Sequence, residues 1–342
     1  MIIKIERAIL HALDPASGMA VLSEEPMEIN EEVREFLDAH FTKCLESDEA
    51  QKAVIREEGS FGQRMRALGR AVLGDGAGDS GAGAEAFKIE SKQLAEQIFA
   101  ILNANPDVPR GDLICMLCKV GGAGGKTFFG ALKMNYHDGF AHYYMNGNLN
   151  IVGQRVLLPG VGRKLDEAFI VDLETLDVQV IEKKYLMMDD TRAAYLSEQI
   201  LGCVPEASER SKLMAVKKAV QKANKEILGD RKVVEQEFMS RMHEYLRDED
   251  EPTVGEMCRE VLRDYPQVRP MVEEQILAGR IELDDTVQVQ PKTMKRFEKQ
   301  SVKTPNGIEV KIPADLFRDE NSVEFLQNPD GTISLLIKNI VI

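Results

Sequence analysis

The sequence predicts an α+β protein with a mixed N-terminal α/β domain, a helical middle region and a small C-terminal β-rich unit. Three observations support this class. Short apolar runs separated by turn residues occupy the segment 112–134, amphipathic helical spacing dominates 189–280, and alternating strand patterns return in the last sixty residues. Because 342 residues exceed the usual size of one domain, we expect boundaries that give units 1–185, 186–280 and 281–342.

The first hundred residues mix strand and helix signals. Asn30 is the predicted N-cap of a helix, and it is followed by Glu31 and Glu32, where acids favour the start of a helix. Asn105-Pro106 marks a helix end, because the residue before proline disfavours helical geometry. The predicted elements are, in order, a strand at 1–13, a short strand at 19–22, a helix over 30–58, a helix at 61–73, a glycine-rich loop at 74–84 and a helix at 91–104.

A β-hairpin is predicted where two apolar runs, 112–120 and 126–134, flank the sequence GGAGG. Further strands are expected around 150–158 and 167–181. Cys115 and Cys118 have the spacing of redox or zinc motifs, but residues three apart on a strand point to opposite faces. The residues therefore favour two buried cysteines over a metal site.

Near the C-terminus, Ile308–Ile312 alternates as a strand would. The runs 323–326 and 333–337 flank Asn328-Pro-Asp-Gly331, which is a strong turn signal. These patterns predict a small β-rich unit after the helical region.

Composition favours a soluble, cytoplasmic protein. Hydrophobic residues make up 44% of the chain, and there is no run of eighteen apolar residues that would predict a membrane span. Five scattered cysteines, an odd number, do not indicate a disulfide framework, so a reducing compartment is expected. The formal net charge of −14 disfavours non-specific coating of DNA, unless the cations gather on one surface.

The motifs usually associated with catalysis or cofactors are incomplete. In Gly121–Thr127 the first glycine of a nucleotide-binding loop would fall on Val120, and the following residues predict a strand where that motif needs a helix. The five histidines form no HExxH pattern. We therefore predict a non-enzymatic protein without a cofactor or a metal.

Positive charge concentrates first in residues 212–232, which hold seven basic and two acidic side chains. Leu213, Val216, Val220, Ala223 and Ile227 form one apolar stripe at helical spacing, which suits either a homodimer or packing within the chain. The lysines off this stripe are expected to face water and could contact DNA phosphates without reading bases, although an ordinary solvated helix face explains them equally well. They are Lys212, Lys217, Lys218, Lys222 and Lys225.

A second basic segment precedes the C-terminal strands. The basic residues of both segments are the candidate DNA-binding residues, and this assignment depends on charge clustering alone. Its candidate residues are Lys292, Lys295, Arg296 and Lys299.

Several longer segments resemble a known family. They are IIKIERAILHAL at the N-terminus, LICMLCKV with FFGALKMNY, LPGVGRKLDEAFIVDL at 158–173, AAYLSEQILG at 193–202, and GIEVKIPADLF with VEFLQNPDGTISLLIKNI. In these segments the chain resembles, over nearly its whole length, the bacterial nucleoid-associated protein family typified by NdpA.

This resemblance implies association with the nucleoid and binding of double-stranded DNA, and it supplies no catalytic residue. The alternative is a protein-interaction module that reaches the nucleoid through a chromosomal enzyme, without strong DNA binding of its own. The acidic net charge keeps that alternative open.

Overall fold

The computed structural model describes residues 2–74, 81–122, 124–229, 232–249, 251–289, 291–303, 306–317, 319, 321–329 and 332–339. The class is α+β, as the sequence predicts. The contacts divide the chain into two compact units, Met1–Glu206 and Ala207–Ile342. The separation into three parts with boundaries at 185 and 280 stays a prediction.

Unit 1 contains three α-helices, one short 3-10 helix at Pro15–Ser17, ten strands and one π-helical turn among the described residues. Their bounds are β1 Ile3–Leu13, α1 Glu31–Leu45, β2 Gln51–Val54, α2 Ser60–Leu73, α3 Gly81–Ala104, β3 Gly111–Val120, β4 Lys126–Asn135, β5 His137–Met145, β6 Asn148–Leu157, β7 Glu167–Asp172, β8 Asp177–Ile181, β9 Tyr185–Leu186, β10 Arg192–Ala193 and the π-helical turn Leu196–Leu201.

The centre of unit 1 is an antiparallel sheet with strand order β1-β3-β4-β7-β8-β2. Residues of β3 alternate between two apolar cores: Cys115 lies in the core with α2 and α3, and Cys118 lies in the core with α1. Because helices cover both faces, the central strands can be apolar at nearly every position, which explains their continuous hydrophobic runs. The prediction of two buried cysteines on opposite faces is confirmed.

Three local predictions in unit 1 need correction. At 19–22 the structure has one isolated bridge, Val21 with Ala12, where a strand was expected. The helix predicted over 30–58 ends at Leu45, because 51–54 pair with β8 as the edge strand β2. Residues 81–84, predicted as loop, begin helix α3. The part of that loop at 75–80 lies outside the described residues.

Strands β5 and β6 form a separate two-stranded sheet, which we call the arm (residues 137–157). Its two strands pair from Met145–Asn148 at the turn to His137–Leu157 at the base, with a bulge near the base. Apart from each other, neither strand packs substantially against another described element. Most of its side chains are therefore exposed.

Unit 2 begins with helices and ends with two hairpins. The helices share one core, and a smaller cluster around Ile312, Phe317 and Val323 supports the strands. The predicted turn at 328–331 joins the last two strands, and its residues 330 and 331 lie outside the described chain. The bounds are α4 Glu209–Ile227, α5 Lys232–Asp248, α6 Val254–Val261, α7 Arg269–Ala278, α8 Pro291–Phe297, β11 Lys299–Lys303, β12 Glu309–Pro313, β13 Val323–Gln327 and β14 Ile333–Ile337.

Candidate nucleic-acid interface

Helix α4 carries most of the predicted basic residues and has a well-defined start. The Ser208 hydroxyl accepts a hydrogen bond from the backbone N–H of Ser211 at 3.2 Å, which caps the helix. Glu209 in the first turn and Lys225 in the last turn both complement the helix dipole. The sequence therefore specifies this helix locally, before any packing.

The apolar stripe of α4 packs within unit 2. Leu213, Val216, Val220 and Ala223 are buried in the core that α4 shares with α5, α6 and α7. Ile227 departs from the prediction, because it lies at the last residue of the helix and is 49% exposed. The stripe is thus occupied by the chain's own helices, which removes it as an argument for a homodimer.

Lys212 contradicts the expectation that it faces water. Its side chain is buried, and its ammonium group donates a hydrogen bond to the backbone carbonyl of Thr286 at 2.9 Å. Lys212 lies seven residues before Ala219, so two helical turns place both on the same, buried side of α4. This cation is held by the protein itself and is not presented to a ligand.

The other four lysines of α4 have different exposures. Lys217 is half-buried, whereas Lys218, Lys222 and Lys225 are exposed. The spacing of four and three residues puts the last three on one outer face of the helix. We call Lys218, Lys222 and Lys225 the lysine row.

The lysine row extends about 10 Å along the helix axis, since each residue adds about 1.5 Å. Lys222 lies 3.9 Å from the carboxylate of Glu226, and both side chains are about half exposed. Within the described part of the chain, Lys218 and Lys225 form no ion pair. An exposed pair such as Lys222–Glu226 stabilises the fold by at most about 1 kcal/mol, so the lysine can exchange its partner for another anion.

The second basic segment covers α8 and the start of β11. Lys295 and Lys299 are exposed, whereas the side chains of Lys292 and Arg296 lie outside the described part of the structure. Lys299 lines an open depression of about 580 Å³ together with Glu298 and Asp315. Arg247 also lines this depression and lies 3.2 Å from the Asp315 carboxylate, so positive and negative side chains are mixed around Lys299. Helices α4 and α8 both pack against α5 within unit 2.

The glycine-rich stretch between β3 and β4 lies at the tip of their hairpin, as predicted, with residue 123 outside the described chain and Lys126 and Thr127 already in β4. Lys126 does not point to a phosphate site, because its ammonium group contacts the buried carboxylate of Asp172 at 2.8 Å. Strand β4 follows directly, so there is no helix N-terminus of the kind that a nucleotide-binding loop requires.

A buried ion pair in unit 1 is the polar feature that the sequence analysis missed. Lys133 and Glu167 stand opposite each other on β4 and β7, 2.8 Å apart and 1% and 0% exposed. Lys133 also donates to the Pro109 carbonyl at 2.6 Å and to the Asn135 side chain at 2.5 Å. Pairing across strands 34 residues apart leaves no local signal in the sequence.

Two buried tyrosines accompany this pair. Burial and then the negative charge of Glu167 raise the pKa of both the Tyr185 and the Tyr195 hydroxyl. Burial also lowers the pKa of Lys133, against the opposing effect of Glu167. Because the pair is closed to solvent, it has the geometry of a structural element and not of a site open to substrate.

Two further observations concern only the described part of the chain. Among the described residues, none of the helices has the length and apolar character needed to cross a membrane. The same part of the chain contains no group of three or more His, Cys, Asp or Glu side chains placed to hold a metal ion.

Comparison with known proteins identifies the family. The family model described as nucleoid-associated protein YejK matches residues 9–341. No curated protein matches the chain. Since the family match covers nearly every residue, the resemblance deduced from the sequence is confirmed. The chain therefore belongs to the nucleoid-associated protein YejK family.

Proposed function

We propose that this protein acts at the bacterial nucleoid, in the cytoplasm, by binding double-stranded DNA through its backbone phosphates and not by catalysis. The observation that carries the proposal is the lysine row, in a chain whose family is nucleoid-associated. Three cations on one helix face would lie along the phosphate backbone, and ammonium groups are point charges that do not distinguish bases. We therefore expect little sequence preference.

The acidic net charge sets the strength of this binding. With a formal charge of −14, the protein as a whole repels DNA. At physiological salt that repulsion is screened beyond about 8 Å, so cations close to the phosphates can still bind. We expect modest affinity with a steep dependence on salt, since contacts to phosphates release counterions.

The test is fluorescence anisotropy with a labelled 30-base-pair duplex over a range of salt concentrations. The salt slope is the slope of the logarithm of the binding constant against the logarithm of the salt concentration. Replacing Lys218, Lys222 and Lys225 with Glu should reduce the magnitude of this slope by about 2.7, which is 0.9 for each phosphate contact. Three contacts correspond to about a 40-fold change in affinity between 50 and 200 mM salt. The loss should be the same for duplexes of different sequence.

A charge-matched control separates the lysine row from net charge. Replacing Lys4, Lys183 and Lys184 with Glu makes the same change in charge at exposed positions of unit 1. This control should change the salt slope much less than the lysine-row variant does. Equal effects from both variants, or none from the lysine-row variant, would remove α4 from the DNA contact.

The second candidate is a protein-interaction module that a chromosomal enzyme brings to the nucleoid. The net charge of −14 favours it, because an acidic surface suits a basic protein partner. Co-purification of a chromosomal protein that survives nuclease digestion, together with no measurable DNA affinity at 50 mM salt, would favour this candidate over direct binding.

A further inference from the structure

The last strand of the chain, β14, is one of the two strands of a hairpin with β13. Next to the paired residues, Asn328 donates its backbone N–H to the Thr332 carbonyl at 2.8 Å, and Lys338 donates to the Ser322 carbonyl at 2.9 Å. Both bonds continue the register of the β13–β14 ladder. Because hydrogen-bonded and non-hydrogen-bonded pairs alternate along an antiparallel ladder, the even-numbered residues of β14 bond to β13 and the odd-numbered ones face away from it.

The outward-facing backbone groups of β14 belong to Ile333, Leu335 and Ile337. In the part of the chain that the structure describes, no other strand pairs with this side of β14. The outer side of β13 is partly occupied, because the Val323 N–H donates to the Asp319 carbonyl at 2.9 Å. The outer side of β14 therefore presents three N–H and three C=O groups to an incoming strand. We call it the β14 edge.

Strand β14 lacks the features that usually protect an edge strand, which are charged side chains, proline and bulges. The other hairpin strands of unit 2 have them. Strand β11 begins and ends with lysine, β12 contains Glu309, Lys311 and Pro313, and β13 contains Glu324. Strand β14 has the sequence ISLLI and pairs with β13 in unbroken register. An unprotected edge of this kind is a template for the addition of another strand.

The side chains of β14 are apolar and largely uncovered. Ile333, Leu336 and Ile337 are 41–46% exposed, and Leu335 is half-buried against the cluster around Phe317. An extended polypeptide can cover these side chains while its backbone pairs with the β14 edge. A helix cannot pair in this way because its backbone groups bond to each other, and a DNA phosphate offers acceptors without donors.

The charge around the β14 edge restricts the partner further. Residues 307–342 contain six acids and three bases. One of the bases, Lys338, already pairs with Glu324 at 2.6 Å. This part of the chain therefore attracts a basic segment and repels an acidic one. A second copy of this chain would bring the same excess of negative charge to the contact.

We propose that the β14 edge binds an extended apolar segment with basic flanks from another protein, by strand addition. The added segment forms backbone hydrogen bonds with Ile333, Leu335 and Ile337 and extends the hairpin to three strands. Three strands with an apolar face are also more stable than an isolated hairpin. This inference goes beyond DNA binding by the lysine row and does not depend on it.

The test uses the full chain and a fluorescein-labelled peptide. Its core alternates valine and threonine over the length of β14, with two lysines at each end. Methyl groups on the backbone nitrogens along one side of the peptide prevent it from aggregating with itself. Fluorescence anisotropy should show that this peptide binds, that a peptide with glutamates in place of the lysines binds more weakly, and that a peptide methylated along both sides does not bind.

Two pairs of substitutions locate the binding. Ile333→Pro and Ile337→Pro each remove one outward N–H and leave the hydrogen bonds to β13 in place. Ile333→Val and Ile337→Val keep the N–H and the β-branched side chain, so they are the matched controls. Each proline variant should weaken peptide binding about tenfold, the effect of one lost hydrogen bond. The valine variants should bind the peptide as the wild type does.

Several results would overturn the proposal. They are no binding of the lysine-flanked peptide at protein concentrations up to about 100 µM, where a transient interface is occupied, or equal binding by the wild type and both proline variants. Equal binding of the peptide methylated along both sides would do the same without relying on the folding of a variant. Equal binding of the lysine-flanked and glutamate-flanked peptides would overturn the assignment to a basic partner.

Two further measurements separate this proposal from other occupants and from DNA binding. A lower mass in sedimentation equilibrium for Ile333→Pro than for the wild type would assign the β14 edge to a second copy of this chain and overturn the proposal. DNA affinity should be the same for Ile333→Pro and the wild type, so a failure of strand addition is distinguishable from a failure of the lysine row. A loss of DNA affinity in Ile333→Pro would contradict the independence of the two sites.

Discussion

The buried pair of Lys133 and Glu167 gives the sharpest prediction about the stability of unit 1. At 2.8 Å and an effective dielectric constant of about 20, their Coulomb attraction is about 6 kcal/mol. Replacing Lys133 with Met removes this attraction and leaves a carboxylate in the core without its cation. Removing one partner of a buried pair costs about 3–5 kcal/mol, a large share of the roughly 5–15 kcal/mol that stabilises a domain.

Urea denaturation of the wild type and of Lys133→Met measures this cost. With a slope of about 2–3 kcal/mol per molar urea, the midpoint should fall by roughly 1–2.5 M. The chain has no tryptophan, and five of its seven tyrosines lie in unit 1. Tyrosine fluorescence therefore reports mainly on the unit that contains the pair.

The double variant Lys133→Met/Glu167→Leu tests the physical reason. Replacing both partners removes the buried charge, so the double variant should be more stable than Lys133→Met by about 2 kcal/mol or more. Two results would contradict this reasoning: Lys133→Met lowers the free energy of unfolding by less than about 1 kcal/mol, or the double variant is no more stable than the single one. Either would mean that Lys133 does not offset the cost of burying the Glu167 carboxylate.

Two further predictions concern single residues. Burial lowers the pKa of His11 from 6.5 to about 4. Between pH 6.5 and pH 4 the unfolded chain therefore binds a proton at His11 that the folded chain does not bind. The free energy of unfolding should fall as the pH is lowered through this range. Relative to His11→Asn, the wild type should lose about 2 kcal/mol between pH 7 and pH 5 in urea titrations, and an unchanged difference would show that His11 titrates normally. A Cβ at Gly62 would lie 2.1 Å from the backbone oxygen of Arg56, so Gly62→Ala should cost about 1–3 kcal/mol in thermal unfolding, whereas Gly81→Ala, with open space around it, should cost nothing measurable.

Local patterns identified many of the elements correctly. Asn30 accepts the hydrogen bond from the N–H of Val33 at 2.9 Å, as its position before two acids predicts. The hairpin of β3 and β4 and the opposite orientation of Cys115 and Cys118 also follow from the sequence, because a strand alternates its side chains with a period of two. These features depend on neighbours a few residues apart.

The errors occurred where distant segments determine the outcome. Residues 51–54 have helical spacing in the sequence, but in the structure they pair with β8 and form an edge strand of the sheet. Lys212 looks like a solvent-facing residue beside the apolar stripe, but the carbonyl of Thr286, 74 residues later, binds its ammonium group within the protein. Propensity is a weak prior, and pairing across long separations overrides it.

The sequence alone determined the α+β class, the family resemblance and the concentration of lysines in α4, because these depend on composition, local periodicity and motif order. Only the tertiary structure decided which lysines remain at the surface, that Lys133 and Glu167 neutralise each other, and that the apolar residues of the arm stay uncovered. The physical reason is that burial and pairing depend on which elements meet in space, and that information is not local in the chain.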